Sequence, residues 1–151
     1  MMDRRQWLQL TLGACAALGL GPRVATAAQS GMQYRMIPSS RELIPVIGLG
    51  SSATFRAVAQ SEDVTALREV LDAMVSAGAT VFDTAPSYGA SEEVAGRLAR
   101  ELGITQKLFW ATKVNVAPRG GGPADPAAAR AQIEESFHRF GVTTMDLIQV
   151  H

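Results

Sequence analysis

Residues 78–89 read Gly78-Ala79-Thr80-Val81-Phe82-Asp83-Thr84-Ala85-Pro86-Ser87-Tyr88-Gly89. Thr80, Val81 and Phe82 have the composition of a strand. Asp83 places a charge at the end of that apolar run. Proline and glycine in the stretch Ala85–Gly89 mark a loop. Upstream, Ser61–Ala77 predicts a helix, with Val64, Leu67, Leu71, Met74 and Val75 on one face, Ser61 as its cap and Gly78 as its stop. Downstream, Ser91–Leu102 predicts a second helix, capped by Ser91, with Glu92 and Glu93 in its positive first turn and Gly103 at its end.

The same alternation extends outward in both directions. Pro45–Gly50 reads as a buried strand running into glycines, and Met32–Ile37 with Leu43–Ile44 flank a Pro38-Ser39-Ser40 turn as a short hairpin. Leu108–Lys113 predicts a third strand and Pro118–Pro123 a Gly/Pro loop. Asp125-Pro126 opens a helix that buries Ile133, Phe137 and Phe140 and stops at Gly141. Asp146–His151 predicts a fourth strand. The order β-α-β-α-β-α-β implies parallel βαβ units, arranged as an open doubly wound sheet or a closed barrel.

Composition narrows the function classes. The chain has 151 residues, 47% hydrophobic and 19% charged, with a formal net charge of zero. This suits a packed core and offers no basic footprint for nucleic acid. The single cysteine, Cys15, excludes an internal disulfide framework. Beyond the first segment no apolar run approaches the ~18 residues of a membrane span.

That first segment reads as an address. A short charged start is followed by the apolar stretch Leu10–Leu20 and by Ala25-Thr26-Ala27, a small-x-small cleavage site. Arg4-Arg5 followed by Trp7-Leu8 resembles the twin-arginine export motif, with Asp3 and Trp7 departing from its usual residues. An ordinary secretory signal and a lipoprotein signal at Cys15 are the alternatives. The expected organisation is a signal peptide at 1–27, a linker at 28–31 and a domain at 32–151. Removal of 1–27 would leave 11 basic and 13 acidic residues, because Arg4, Arg5, Arg23 and Asp3 depart. The expected partner is the twin-arginine export machinery and the expected location the periplasm, with no stable membrane anchor.

Three predicted strands end in a titratable residue: Asp83, Lys113 and His151. In parallel α/β folds the C-terminal strand ends share one face, where ligands bind. Tyr88 lies five residues past Asp83 in a loop short enough to fold back over that face. These four residue types suit proton transfer. A free phenol, with a pKa of ~10, is a weak acid at neutral pH, and a nearby ammonium makes its proton easier to give up. A carboxylate keeps the ammonium charged and oriented. An imidazole across the pocket can hydrogen-bond a carbonyl oxygen.

The stretch Gly78–Ala85, followed by Tyr88-Gly89, Ser91-Glu92 and Gly96, resembles the signature of the aldo-keto reductases. Ala111-Thr112-Lys113 resembles that family's lysine strand and Met145–His151 its histidine strand. The resemblance covers Met32 to His151. It implies a (β/α)8 barrel and NADPH-dependent reduction of aldehydes and ketones. It further implies a catalytic tetrad of Asp83, Tyr88, Lys113 and His151, and cofactor contacts at Gly50, Ser51, Ser52 and Asp83.

Gly48-Leu49-Gly50-Ser51-Ser52-Ala53 also matches the G-x-G-x-x-A dinucleotide fingerprint. A Rossmann dehydrogenase would need a helix starting at those glycines, and the predicted helix begins some ten residues after Gly50. A non-catalytic nucleotide-binding regulatory subunit is the other alternative. A (β/α)8 barrel takes roughly 250 residues, so the chain is expected to be part of a longer product and inactive by itself. His138 is expected at the surface and Trp110 in packing.

Overall fold

In a computed structural model, residues 31–117 and 121–151 are described. The expected signal peptide, almost all of the linker and Pro118–Gly120 of the Gly/Pro loop lie outside them. The compact unit spans Met32–His151. It opens with an antiparallel hairpin of β1 (Tyr34–Met36) and β2 (Leu43–Pro45), in which Tyr34 pairs with Pro45 and Met36 with Leu43.

The main sheet contains β3 (Gly48–Gly50), β4 (Val81–Asp83), β5 (Phe109–Val114) and β6 (Leu147–Val150). Its strand order is β3-β4-β5-β6 and every pairing is parallel. The register sets Gly50 beside Asp83, Asp83 beside Ala111, and Lys113 beside Gln149. Helices occupy each crossover: α1 (Thr54–Ala59) and α2 (Thr65–Ser76), then α3 (Ser91–Glu101), then α4 (Pro126–Phe140). A 3₁₀ turn at Thr105–Lys107 leads into β5.

The predicted alternation is present, with several corrections. The Pro45–Gly50 strand is divided: Pro45 ends β2, while Gly48 and Gly50 are exposed on the outer strand of the sheet. Helix α2 starts at Thr65, not Ser61, and α1 precedes it. Ser61 caps nothing; its hydroxyl donates to the carbonyls of Val58 (2.7 Å) and Asp63 (2.8 Å). Asp63 Oδ1 instead accepts from the Thr65 N–H at 2.9 Å. The early helix, from Thr54, removes the helix-start objection to the dinucleotide fingerprint, but Asp83 still follows Ala53 by about thirty residues where the fingerprint expects about twenty. Ser91 is the first residue of α3 rather than its cap, and its hydroxyl donates to the Ser51 carbonyl at 3.3 Å. On α4 Phe140 is fully buried, whereas Ile133 and Phe137 are only half-buried.

Helix α4 follows its sequence signals closely. Asp125 Oδ1 accepts from the N–H groups of Ala127 and Ala128, both at 3.0 Å, Pro126 occupies the first turn, and Gly141 closes the helix at φ +67°. That combination satisfies orphan N–H groups at one end and allows a left-handed turn at the other.

The core lies between the sheet and the helices. Phe82 packs edge-on against Phe55 and Trp110, at centroid distances of 5.1 and 5.8 Å, and Trp110 meets Phe140 at 4.7 Å. Trp110 thus packs as expected and donates from Nε1 to the Thr105 carbonyl at 3.1 Å. Leu71 and Leu98 complete this layer, both essentially without exposure. Gly96 permits α3 to meet the end of α4, because a Cβ there would overlap the Phe140 backbone. His138 is exposed, as expected. Among the described residues no helix is long and apolar enough to cross a membrane.

Candidate active site

Parallel pairing points the C-terminal ends of β3 to β6 to one side, and the four singled-out residues meet there. Asp83 is the last residue of β4, and Lys113 lies near the end of β5. His151 follows β6, its N–H donating to the Val114 carbonyl at 2.9 Å, so the ladder still fixes its backbone. Tyr88 sits in a tight turn: its N–H donates to Ala85 O at 2.9 Å, and its carbonyl accepts from Ser91 N at 3.2 Å. Gly89 takes φ +60° beside it, and a Cβ at Gly89 would lie 2.7 Å from Gln60 Nε2. The left-handed backbone, more than the movable Gln60 side chain, favours glycine after Tyr88.

Lys113 is the hub. Its ammonium donates to Asp83 Oδ2 at 2.7 Å and to the Thr84 carbonyl at 2.9 Å. It also lies 5.3 Å from the centroid of the Tyr88 ring, within cation–π range. The Tyr88 and His151 rings meet edge-to-face with centroids 5.7 Å apart. Lys113 is 15% exposed and Asp83 39%, so the pair is buttressed by protein but open toward the strand ends. Asp83, Lys113, Tyr88 and His151 thus form one contact chain. The ammonium faces the tyrosine ring while giving hydrogen bonds to the carboxylate and the backbone.

The glycine-serine stretch is placed at the same end. A Cβ on Gly50 would meet nothing within 4 Å, so space is open above it. Ser52 is exposed. Ser51 is fully buried, and its N–H donates to the Asp83 carbonyl at 3.0 Å. The hydroxyls of Ser51 and Thr84 are buried without a hydrogen-bond partner. The mouth of β3 therefore combines open space, an exposed hydroxyl at Ser52 and buried hydroxyls beneath it, which fits the polar end of a nucleotide.

The contacts of two further residues emerge only from the structure. Gln149 on β6 donates from Nε2 to Asp83 Oδ1 at 3.3 Å. Glu92 lies in the first turn of α3 as expected, and it is fully buried there. It accepts from Thr112 Oγ1 at 2.7 Å and from Arg139 Nη1 at 3.2 Å. Its burial had a signal, since Glu92 falls on the stripe of Ala95, Leu98 and Ala99 at helical spacing. Gln149 had only its alternation with His151 along the strand.

Comparison with known proteins agrees with this architecture. The pattern of the Aldo/keto reductase family matches residues 46–151. An aldo-keto reductase of Strobilurus tenacellus is 35% identical over 118 residues, covering 74% of this chain and 34% of that protein. The chain thus spans about a third of that relative's length. The holo form of an aldo-keto reductase from Bacillus halodurans superposes with a TM-score of 0.62 at 25% identity, over 80% of this chain and 40% of that one. An aldo/keto reductase from Klebsiella pneumoniae, in complex with NADP and acetate, gives a TM-score of 0.54 at 31% identity, over 74% and 37%. The four parallel strands and their helices are part of a (β/α)8 barrel, which excludes the doubly wound alternative. The chain belongs to the aldo/keto reductase family.

Proposed function

We propose that the full-length protein reduces aldehyde or ketone carbonyls with NADPH, Tyr88 serving as the general acid. One observation carries this reading: Lys113 joins Asp83 at 2.7 Å to the Tyr88 ring at 5.3 Å, and His151 meets that ring edge-to-face. The NADP bound to the Klebsiella relative supports the choice of cofactor.

Gly50 and Ser52 would approach the cofactor, and Ser51 and Asp83 would form the floor beneath it. When bound, NADPH supplies a hydride to the carbonyl carbon. The protein's own residues handle the proton and the charge. The His151 imidazole orients the carbonyl oxygen by a hydrogen bond. The Tyr88 hydroxyl gives that oxygen a proton as negative charge develops on it. The Lys113 ammonium stabilises the phenolate left behind, and Asp83 holds the ammonium in place.

The test is NADPH oxidation by the full-length protein across a panel of aldehydes. Tyr88→Phe removes the proton and should lower kcat by roughly 10²–10⁴-fold; an unchanged rate would discard Tyr88 as the acid. The 151-residue chain alone is expected to be inactive.

Export belongs to the same proposal. The leader with Arg4-Arg5 and Ala25-Thr26-Ala27 would direct the folded protein through the twin-arginine machinery to the periplasm, with cleavage after Ala27. Replacing both arginines by lysine should retain the precursor in the cytoplasmic fraction. Unimpaired export of that variant would point to an ordinary secretory signal.

A further inference from the structure

We propose that Gln149 is a positioning residue for the Asp83–Lys113 pair, an inference that rests on the carbonyl-reductase reading above. Asp83 has two carboxylate oxygens, and they are held from different directions. Lys113 on the neighbouring strand holds Oδ2 at 2.7 Å. Gln149, one strand further away, holds Oδ1 at 3.3 Å. Lys113 and Gln149 are register partners across β5 and β6, so the carboxamide reaches past the lysine's strand to the carboxylate on β4.

The geometry gives this second hold a purpose. Asp83 is 39% exposed, so a carboxylate bonded through one oxygen could turn toward water. Turning it would move the Lys113 ammonium with it. That ammonium has one further hydrogen-bonding anchor, the Thr84 carbonyl at 2.9 Å. Fixing both oxygens fixes the carboxylate plane and, through it, the ammonium beneath the Tyr88 ring.

The residue type suits the task. An ionised carboxylate only accepts, so the Gln149 amide must present its NH₂ side. A neutral donor adds no charge beside the lysine. Glutamate in its place would set a second carboxylate against Asp83, and methionine would fill the space while leaving Oδ1 free.

The test compares Gln149→Met and Gln149→Glu in the full-length protein. Gln149→Met should lower kcat roughly tenfold, the size of one hydrogen bond to a charged group. KM for the aldehyde should stay within about twofold, because a residue that acts through Asp83 adds no substrate contact of its own. Gln149→Glu should lower kcat further, with the thermal midpoint of both variants near that of the wild type. An unchanged kcat in Gln149→Met, or a loss matched by a falling midpoint, would overturn the proposal.

A second readout does not depend on turnover. In 15N-labelled protein the Gln149 side-chain amide signal should move when Asp83 is changed to Ala. An amide signal indifferent to Asp83 would sink the positioning role even in an active enzyme. Conversely, a wild-type protein without reductase activity whose Gln149 signal still responds would refute the proposed reaction and leave this contact standing.

Discussion

Thr112 and Lys113 are neighbours on β5, yet they serve two different polar clusters. Successive strand side chains point to opposite faces. Thr112, 1% exposed, turns toward the helices and donates to Glu92 at 2.7 Å. Lys113 turns toward the strand ends and binds Asp83, also at 2.7 Å. In the helix-side cluster the acid is the enclosed partner: Glu92 is fully buried with both its oxygens occupied by Thr112 and Arg139, while Arg139 is 34% exposed. The strand-end cluster is open, with Asp83 39% exposed and the Tyr88 and His151 rings beside it. A buried acid with both oxygens occupied can hold elements together but offers neither oxygen to a ligand. An open one contributes little stability and keeps its charge available for chemistry.

Substitutions on the two sides should therefore separate activity from stability. Lys113→Met should show the largest effect, a fall in kcat of roughly 10²–10⁴-fold in the full-length protein. Its stability should change by no more than about 1 kcal/mol, because the freed Asp83 carboxylate reaches water. Steady-state kinetics beside urea denaturation measures both. A Lys113→Met protein that fails to fold would contradict the open-cluster reading.

The opposite pattern is expected behind the strand. Arg139→Met leaves the Glu92 carboxylate buried with Thr112 as its remaining partner, and should cost about 2–3 kcal/mol of folding stability. Glu92→Gln retains an acceptor for Thr112 and should cost about 1 kcal/mol. The order of the two variants is the test. If Glu92→Gln proved the more damaging, the ion pair itself would matter more than the burial of its acid. Activity per folded molecule should survive Arg139→Met.

The same contrast explains what could be read from the sequence. Strand ends were legible because a charge after an apolar run is locally conspicuous, as at Asp83, Lys113 and His151. Helix α4 was legible because Asp125, Pro126 and Gly141 each carry a terminal signal within their own segment. Glu92 lies in the first turn of α3, where the sequence places it, but the partners of its buried carboxylate were not legible, because Thr112 and Arg139, which draw it inside, lie 20 and 47 residues away. Gln149 was overlooked for a similar reason, since its partner Asp83 is 66 residues distant. Helix α1 escaped because Thr54–Ala59 is a single short turn-and-a-half with no side-chain cap. Its Phe55 is held by Phe82, a contact between segments that local propensity does not contain.

The smallest expected effect lies at the start of α2, where the sequence suggested Ser61 and the structure uses Asp63. Hydrogen bonds from the Thr65 side chain and N–H hold the Asp63 carboxyl below its ordinary value of 3.8. A group whose folded value is depressed adds stability above its unfolded value and loses it as the pH falls through the folded one. Asp63→Ala should therefore lower the urea midpoint slightly at neutral pH, and the deficit should shrink in acid, as the pH falls through the depressed folded value. Ser61→Ala should have no such pH dependence, because its hydroxyl donates only to carbonyls. A deficit in Asp63→Ala that is the same at both pH values would mean that the shape of the turn, rather than the charge on its acid, starts this helix. Asp63 would then differ from Asp83 and Glu92, which are held in ion pairs with Lys113 and Arg139.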